Sequence, residues 1–519
     1  MESEAEVKLL SESSSEENEE KLLKRVWIES KKLWIVAGPA IFSRLSMFGL
    51  FVIAQAFIGH IGNTEMAALS LVFHVLVRFS IGVLMGMSSG LETLCGQAFG
   101  AKQYHMLGIY LQRSWLVELG FLLLLIPLFV FSAPILRLLG QTEEISLMAR
   151  TISVWYIPVI VAYVFSYTLQ MYLQTQSKNM IITWLSALSL ILHGLICWIL
   201  VQKMGYGVAG VMISMILTSW IPIIGQLIYV FFGGCPQTWT GFSLHAFADL
   251  WPVVKLSVSS GVMLCLEIWY NSILILLTGH MKDAEVVINA LSICLNINGW
   301  QLMLSFGFLA AARVSNELGR GSAKAAKFSI IVVVATSLAI GVFLWALILA
   351  FRQSISYIFS DSIEVAYAVS DLSILLAFSL LLNSIQPVLS GVAVGAGWQS
   401  IVAYVNIICY YLVGLPLGIL LGYVGKLGVK GIWMGMIGGT LVQTLILLGF
   451  TYKTDWDKQV YNFGKPCRQG EQRGLGGATF GHIGGNLRDR GDGAIIGDSG
   501  FGSDGGSGGG DNGGVGNGF

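Results

Sequence analysis

Gly59-His-Ile-Gly-Asn-Thr-Glu65 and, about 220 residues further on, Gly279-His-Met-Lys-Asp-Ala-Glu285 are one short stretch written twice. Ala68-Leu-Ser70 follows the first copy and Ala290-Leu-Ser292 the second. Further out, Cys95-Gly-Gln-Ala-Phe-Gly100 lines up with Val314-Ser-Asn-Glu-Leu-Gly319, and Gly207-Val-Ala-Gly-Val211 with Gly428-Val-Lys-Gly-Ile432. Chance alignment of apolar runs does not hold one offset over three unrelated patterns, so the chain reads as two homologous halves.

Between these landmarks the sequence is apolar. Of 519 residues 55% are hydrophobic and only 12% charged, with a mean hydropathy of +0.72. A water-soluble fold carries roughly twice that charged share, so a soluble enzyme is excluded at the outset. Runs of about 20 to 26 residues are long enough to cross a hydrocarbon core of about 30 Å at 1.5 Å per residue. They fall near 34–58, 67–90, 107–131, 151–173, 180–200, 208–232, 253–278, 286–311, 328–350, 365–390, 400–423 and 431–452. In lipid each must satisfy its backbone polar groups within itself, which makes each an α-helix. The expected fold is an all-α polytopic membrane protein: twelve transmembrane helices in two homologous six-helix bundles.

An even number of helices per half gives both halves the same topology, with a pseudo-twofold axis along the membrane normal. Parallel repeats of this kind form a central cleft that opens to either side as one bundle rocks against the other. Basic residues select the side of the termini: Lys31, Lys32, Lys102, Lys178, Arg313, Arg320, Lys324, Lys327, Lys453 and Lys458 share one face. The opposite loops hold fewer, so both termini are expected in the cytosol.

The expected domains are a cytosolic acidic tail over 1–33, an N-terminal bundle over 34–232, a linker over 233–252, a C-terminal bundle over 253–452 and a cytosolic glycine-rich tail over 453–519. No basic–apolar–cleavage order of a secretory signal opens the chain. Past Gly481 roughly two residues in five are glycine, too little apolar surface to offset ordering entropy, which predicts disorder. Thirty Lys and Arg balance thirty Asp and Glu, which removes an electrostatic case for nucleic acid. Seven scattered cysteines give no metal-ligand spacing and no disulfide framework.

Leu94-Cys-Gly-Gln-Ala-Phe-Gly-Ala101, Cys265-Leu-Glu-Ile-Trp269, Arg313-Val-Ser-Asn-Glu-Leu-Gly319, Leu389-Ser-Gly-Val-Ala393 and Gly397-Trp-Gln399 resemble the multidrug and toxin extrusion (MATE) family in its plant detoxification branch, from about residue 25 to about 457. Ala37-Gly-Pro-Ala-Ile-Phe42, Gln55-Ala-Phe-Ile-Gly-His60 and Leu382-Asn-Ser-Ile-Gln-Pro-Val-Leu389 look closest to its transparent-testa-type vacuolar flavonoid carriers. The resemblance implies a proton-coupled antiporter that moves organic solutes out of the cytosol, with no cofactor beyond the proton gradient, and puts the proton on Glu267. Its partners would be protons, a small organic solute and the bilayer, handled by a monomeric transport unit.

The residues themselves support that placement. Glu267 sits mid-helix, where a charge costs at least ~2.5 kcal/mol and so turns to a cleft or a partner. Asn383 departs from the aspartate that the resemblance leads one to expect in the tenth helix, and agrees with the transparent-testa type. Coupling then rests on one carboxylate, with Asn383 and Gln386 as hydrogen-bonding lining and Pro387, which removes a helical hydrogen bond, as the hinge. Trp269, Tyr270, Asn298, Trp300 and Gln301 combine flat rings with amides suited to polyphenols or aromatic cations, or else pack helices; Gln55 would line the cleft from the N-terminal side. Arg44, His74 and Arg78 within spans form ion pairs with Glu92 or Glu118, or else contact an anionic solute; His193 reads as a satisfied core histidine. The membrane is expected to be vacuolar, the alternative being a plasma-membrane exporter of alkaloids, hormones or organic anions. A polytopic enzyme would need a clustered His/Asp or metal-ligand motif that the spans lack, and a passive channel would have no use for Glu267.

Overall fold

The computed structural model describes residues 2–278, 284–354 and 363–461. The repeat at Gly279–Asp283 and the glycine-rich stretch past 461 lie outside them.

Twelve helical segments are long and apolar enough to cross a bilayer: α1 (Lys24–Gly59), α2 (Thr64–Gly100), α3 (Tyr104–Val130), α4 (Glu143–Thr175), α5 (Asn179–Lys203), α6 (Gly207–Gly234), α7 (Leu250–Tyr270), α8 (Ile293–Gly319), α9 (Ala323–Ala350), α10 (Ala366–Gly395), α11 (Gln399–Val424) and α12 (Gly428–Lys453). All twelve expected spans are therefore present, most of them a few residues longer than their apolar cores, because polar residues continue the helices beyond the hydrocarbon. The N-terminal acidic stretch behaves likewise, since the helix containing α1 begins at Glu2. At the other end, residues assigned to the glycine-rich tail return to the body. Trp456 is buried against Trp398, with ring centroids 5.6 Å apart, and Gln459 donates to the Ala396 carbonyl.

Leu123, Leu124, Trp184, Ile191, Phe343 and Leu445 point outward, as lipid requires, while serines, glutamines and buried charges turn inward. The cores follow the halves. Phe51, Leu84, Phe129, Tyr156 and Met215 belong to the first, and Leu274, Leu376, Tyr410, Trp433 and Met436 to the second. Helices α4 and α10 are the most enclosed spans, each 61% buried, and occupy equivalent places in the two halves.

The duplication is written in backbone angles as well as letters. Positive φ at Lys102, Ser177, Gly205 and Gly207 recurs at Gly321, Gly397, Lys426 and Gly428, at the same ends of corresponding helices. Gly207 and Gly428 open α6 and α12 in this conformation, which glycine adopts at no steric cost. The symmetry breaks at the junction of α2 and α8. Helix α2 runs unbroken through Gly90, whereas α8 stops at Phe306, passes through Leu309 in the left-handed region (φ 51°) and restarts as Ala310–Gly319.

The halves meet where matched residues touch. Gly100 packs on Gly319, its counterpart in the repeat, and Gly96 on Ser315, so the pseudo-twofold axis passes between α2 and the restarted part of α8. Only residues without bulk allow such an approach, the usual device of helix contacts in lipid. Polar links reinforce this end, called here the terminal face because both ends of the helical body lie on it. Thr93 Oγ1 donates to the Val394 carbonyl at 2.8 Å, Asn316 Nδ2 to the Thr175 carbonyl at 2.9 Å, and Arg313 pairs with Glu29. Farther from that face the halves meet through rings, Phe48 on Trp300 at 4.8 Å and Phe79 on Trp269 at 5.1 Å.

The tightest crossing of α2 and α7 is testable. A Cβ on Gly86 would lie 2.6 Å from Gly261 Cα and 2.9 Å from the Ser260 carbonyl, both backbone atoms that cannot step aside. Gly86→Val is expected to cost about 1–3 kcal/mol and lower the melting temperature of the purified protein. A Leu123→Val change on the lipid face should leave it in place.

Candidate functional site

Two cavities lie side by side along α7, α8 and α10. The first holds about 640 Å³ of empty space and draws on both halves: Arg44 of α1, Met85, Ser89 and Glu92 of α2, Glu267 of α7, Ser305 and Leu309 of α8, and Pro387 and Ser390 of α10. The second, about 390 Å³, is confined to the C-terminal half and carries no charge: Tyr270, Asn298, Ser379, Asn383, Trp433 and Thr440.

Glu267 is buried in the wall of the first cavity, with the Gln386 amide hydrogen-bonded to its carboxyl. Gln386 also donates to Ser390 Oγ at 3.1 Å. The segment of α7 around Glu267 is held from behind by a buried polar chain. Asn406 Nδ2 donates to the Met263 carbonyl at 3.1 Å, Gln443 Nε2 to Asn406 Oδ1 at 2.7 Å, and the Tyr410 hydroxyl to Gln443 Oε1 at 2.6 Å. Tyr411 donates to the Leu266 carbonyl at 3.0 Å. These bonds fix the turn of α7 that precedes Glu267 against α11, with α12 supporting α11 through Gln443.

Pro387 leaves a mark that can be traced. Lacking an N–H, it frees the Asn383 carbonyl one turn earlier, and Ser305 Oγ of α8 donates to that carbonyl at 3.0 Å. Gln301 Nε2 in turn donates to Ser305 Oγ at 3.2 Å. Asn383 therefore serves both cavities, its backbone bound to the Ser305 of the first and its side chain in the second, where Nδ2 donates to Asn298 Oδ1 at 2.8 Å. Tyr270 closes the second cavity, its hydroxyl donating to the Met436 carbonyl at 2.9 Å and its ring stacked on Tyr410 at 4.3 Å.

The expected site residues are thus divided. Glu267 and Pro387 line the first cavity, with Gln386 bound to Glu267; Tyr270, Asn298 and Asn383 line the second; Gln301 reaches the first through Ser305. Trp269 and Trp300 line neither and pack between the halves, each more than one-third exposed. Gln55, half-buried on α1, also lines neither. His193 is a satisfied core histidine, with Nδ1 at 2.8 Å from Ser214 Oγ.

The expectation of an ion pair at Arg44 or Arg78 is corrected. Among the described residues no ion pair joins either arginine to Glu92 or Glu118. Glu118 accepts from Ser88 Oγ at 2.8 Å, and Glu92 accepts the Ala312 backbone N–H at 3.0 Å across the seam between the halves. Arg44 only faces Glu92 electrostatically within the cavity. Glu92 and the Asn406–Gln443–Tyr410 chain were missed as site residues in the sequence, although polar side chains inside spans were the signal that could have found them.

Asn406→Leu removes two of these bonds and leaves Gln443 Nε2 buried without its acceptor, while the Met263 carbonyl keeps its helical N–H. A loss of about 1–3 kcal/mol for the orphaned group is expected, read as a lower melting temperature, with Tyr410→Phe costing less because it deletes one donor.

The comparisons agree with this architecture. The MatE family model matches twice, over residues 39–199 and 260–420, once in each half. Protein DETOXIFICATION 20 of Arabidopsis thaliana is 58% identical over 447 residues, covering 86% of this chain and 91% of the relative. Protein DETOXIFICATION 21 of the same plant is 58% identical over 457 residues, covering 88% and 92%. The crystal structure of the eukaryotic MATE transporter AtDTX14 superposes with a TM-score of 0.81 at 31% identity, over 85% of this chain and 99% of that one. A family signature in each six-helix half, and relatives matched along nearly their whole length, make this chain a member of the MATE family in its plant detoxification branch, a transporter and not an enzyme.

Proposed function

We propose that the protein is a proton-coupled antiporter that exports flavonoid glycosides or similar aromatic solutes from the cytosol into the vacuole. The observation that carries this reading is the placement of Glu267: a buried carboxyl in a cavity shared by both halves, bonded to Gln386 and beside an uncharged cavity rich in rings and amides. A cycle that wets the cavity from alternate sides lets this carboxyl take a proton on one side and release it on the other. The neighbouring cavity offers Trp433 and Tyr270 as flat faces and Asn298, Asn383, Ser379 and Thr440 as hydrogen-bonding groups, which suits a neutral polyhydroxylated ring system better than a cation.

One proton per solute is sufficient energetically. A gradient of ~1.5 pH units supplies ~2 kcal/mol, enough for roughly thirtyfold accumulation of a neutral solute. Because the two cavities share Asn383 and the Ser305 bond to its carbonyl, a proton arriving at Glu267 communicates with the solute through movement of α10 at Pro387. The excess of basic residues on the terminal face supports a cytosolic position for that face.

Uptake of a labelled flavonoid glucoside into sealed vesicles, with an inside-acid gradient, tests the reading. Wild type is expected to accumulate it in proportion to the gradient, and Glu267→Gln to lose at least tenfold of the gradient-driven rate while keeping a wild-type melting temperature. Accumulation that survives the substitution would remove Glu267 as the coupling group. Pro387→Ala restores the N–H that the Asn383 carbonyl lacks and stiffens α10, so slower turnover is expected with an unchanged or higher melting temperature.

A further inference from the structure

Ala310–Gly319 begins without a cap of its own. Leu309 occupies the cap position, its side chain accepts nothing, and its left-handed backbone turns the chain sharply away from the helix above. The first N–H groups of such a helix have no intrahelical partners and need acceptors from elsewhere. The acceptor at the third position, Ala312, is Glu92 Oε1 of the other half, at 3.0 Å. Glu92 thus supplies from one half the acceptor that the first turn of a helix in the other half lacks.

Two further facts give this bond a role beyond packing. The capped segment is the part of α8 that joins the halves at the terminal face, since Arg313 pairs with Glu29, Asn316 donates to the Thr175 carbonyl, and Gly319 packs on Gly100. Glu92 itself lines the first cavity, together with Arg44 and Glu267. One side chain thus touches the cavity and holds the first turn of the segment that joins the halves beside it.

We propose that Glu92 is a positioning residue of the transport cycle, a latch whose acceptor oxygen holds Ala310–Gly319 against the first half and whose release opens the cavity to the terminal face. The latch works through the hydrogen bond to Ala312 and needs neither a solute nor a proton gradient to be observed. It rests on the antiport reading only in requiring that the cavity open to both sides.

Labelling at position 89 of a Ser89→Cys variant by a membrane-impermeant maleimide, in sealed vesicles of known sidedness and read peptide by peptide so that the seven native cysteines are counted apart, tests this, because Ser89 lines the cavity. From the terminal face the parent is expected to label slowly. Glu92→Gln keeps an acceptor oxygen at the same place and should label within twofold of the parent. Glu92→Met, the same size without an acceptor, and Glu92→Asp, which keeps the charge but withdraws the oxygen by one methylene, should each label at least fivefold faster, with a matching fall from the opposite face. Should Glu92→Met give no folded protein, Glu92→Asp makes the same comparison. Parent-like labelling of the Asp and Met variants, or a Gln variant as fast as the Met one, would overturn the latch. Loss of solute uptake with this labelling pattern intact would instead count against the antiport reading.

Discussion

Every interruption of a helix inside a bilayer has to be repaired by protein, because no water is there to take up the freed groups. This constraint organises the interior. The break in α8 at Leu309 exposes backbone N–H groups that Glu92 answers from the other half. Pro387 frees the Asn383 carbonyl, and Ser305 of a neighbouring helix answers that. Both repairs border the same cavity as Glu267, so the places where regular structure fails are also the places where the halves and the helices around the carboxyl are tied together.

Symmetry explains where the ties fall. Residues that touch their own counterparts mark a twofold axis, and Gly100 on Gly319 with Gly96 on Ser315 set it between α2 and α8. Glu92 and Ala312 are themselves 220 residues apart, close to the offset of the repeat, so the Glu92 bond lies beside the axis. A contact there changes little in length under small rotations of one half about that axis and is strained mainly by tilting the halves apart, the motion that opens a cleft. The asymmetry of the fold, a continuous α2 beside a broken α8, is what creates an unpaired helix end for a carboxylate to hold.

The sequence made the coarse architecture legible. Twelve apolar runs of membrane length and a constant repeat offset were enough for the helix count and the two halves, because hydrophobic length and periodicity are local properties. Site geometry was less accessible. Phe306-Gly-Phe-Leu309 reads as ordinary apolar helix, and only tertiary packing puts Leu309 in the left-handed region. Glu92 was visible as a buried acid in need of a partner, but an arginine was the obvious candidate and a backbone N–H was the answer. Trp269 had the right composition for a cleft wall, yet its helix face directs it between the halves.

Each half enters and leaves on the terminal face, and the segment joining α6 to α7 runs along that face, held there by Lys178 on the Gly234 carbonyl and Arg113 on the His245 carbonyl. The order in which the halves follow one another is therefore incidental to the architecture. A chain permuted to begin at α7, with the present ends spliced and the present linker cut, would present the same two bundles to the membrane with the same handedness. Connectivity in this transporter is a matter of bookkeeping, and the interface between the halves carries the design.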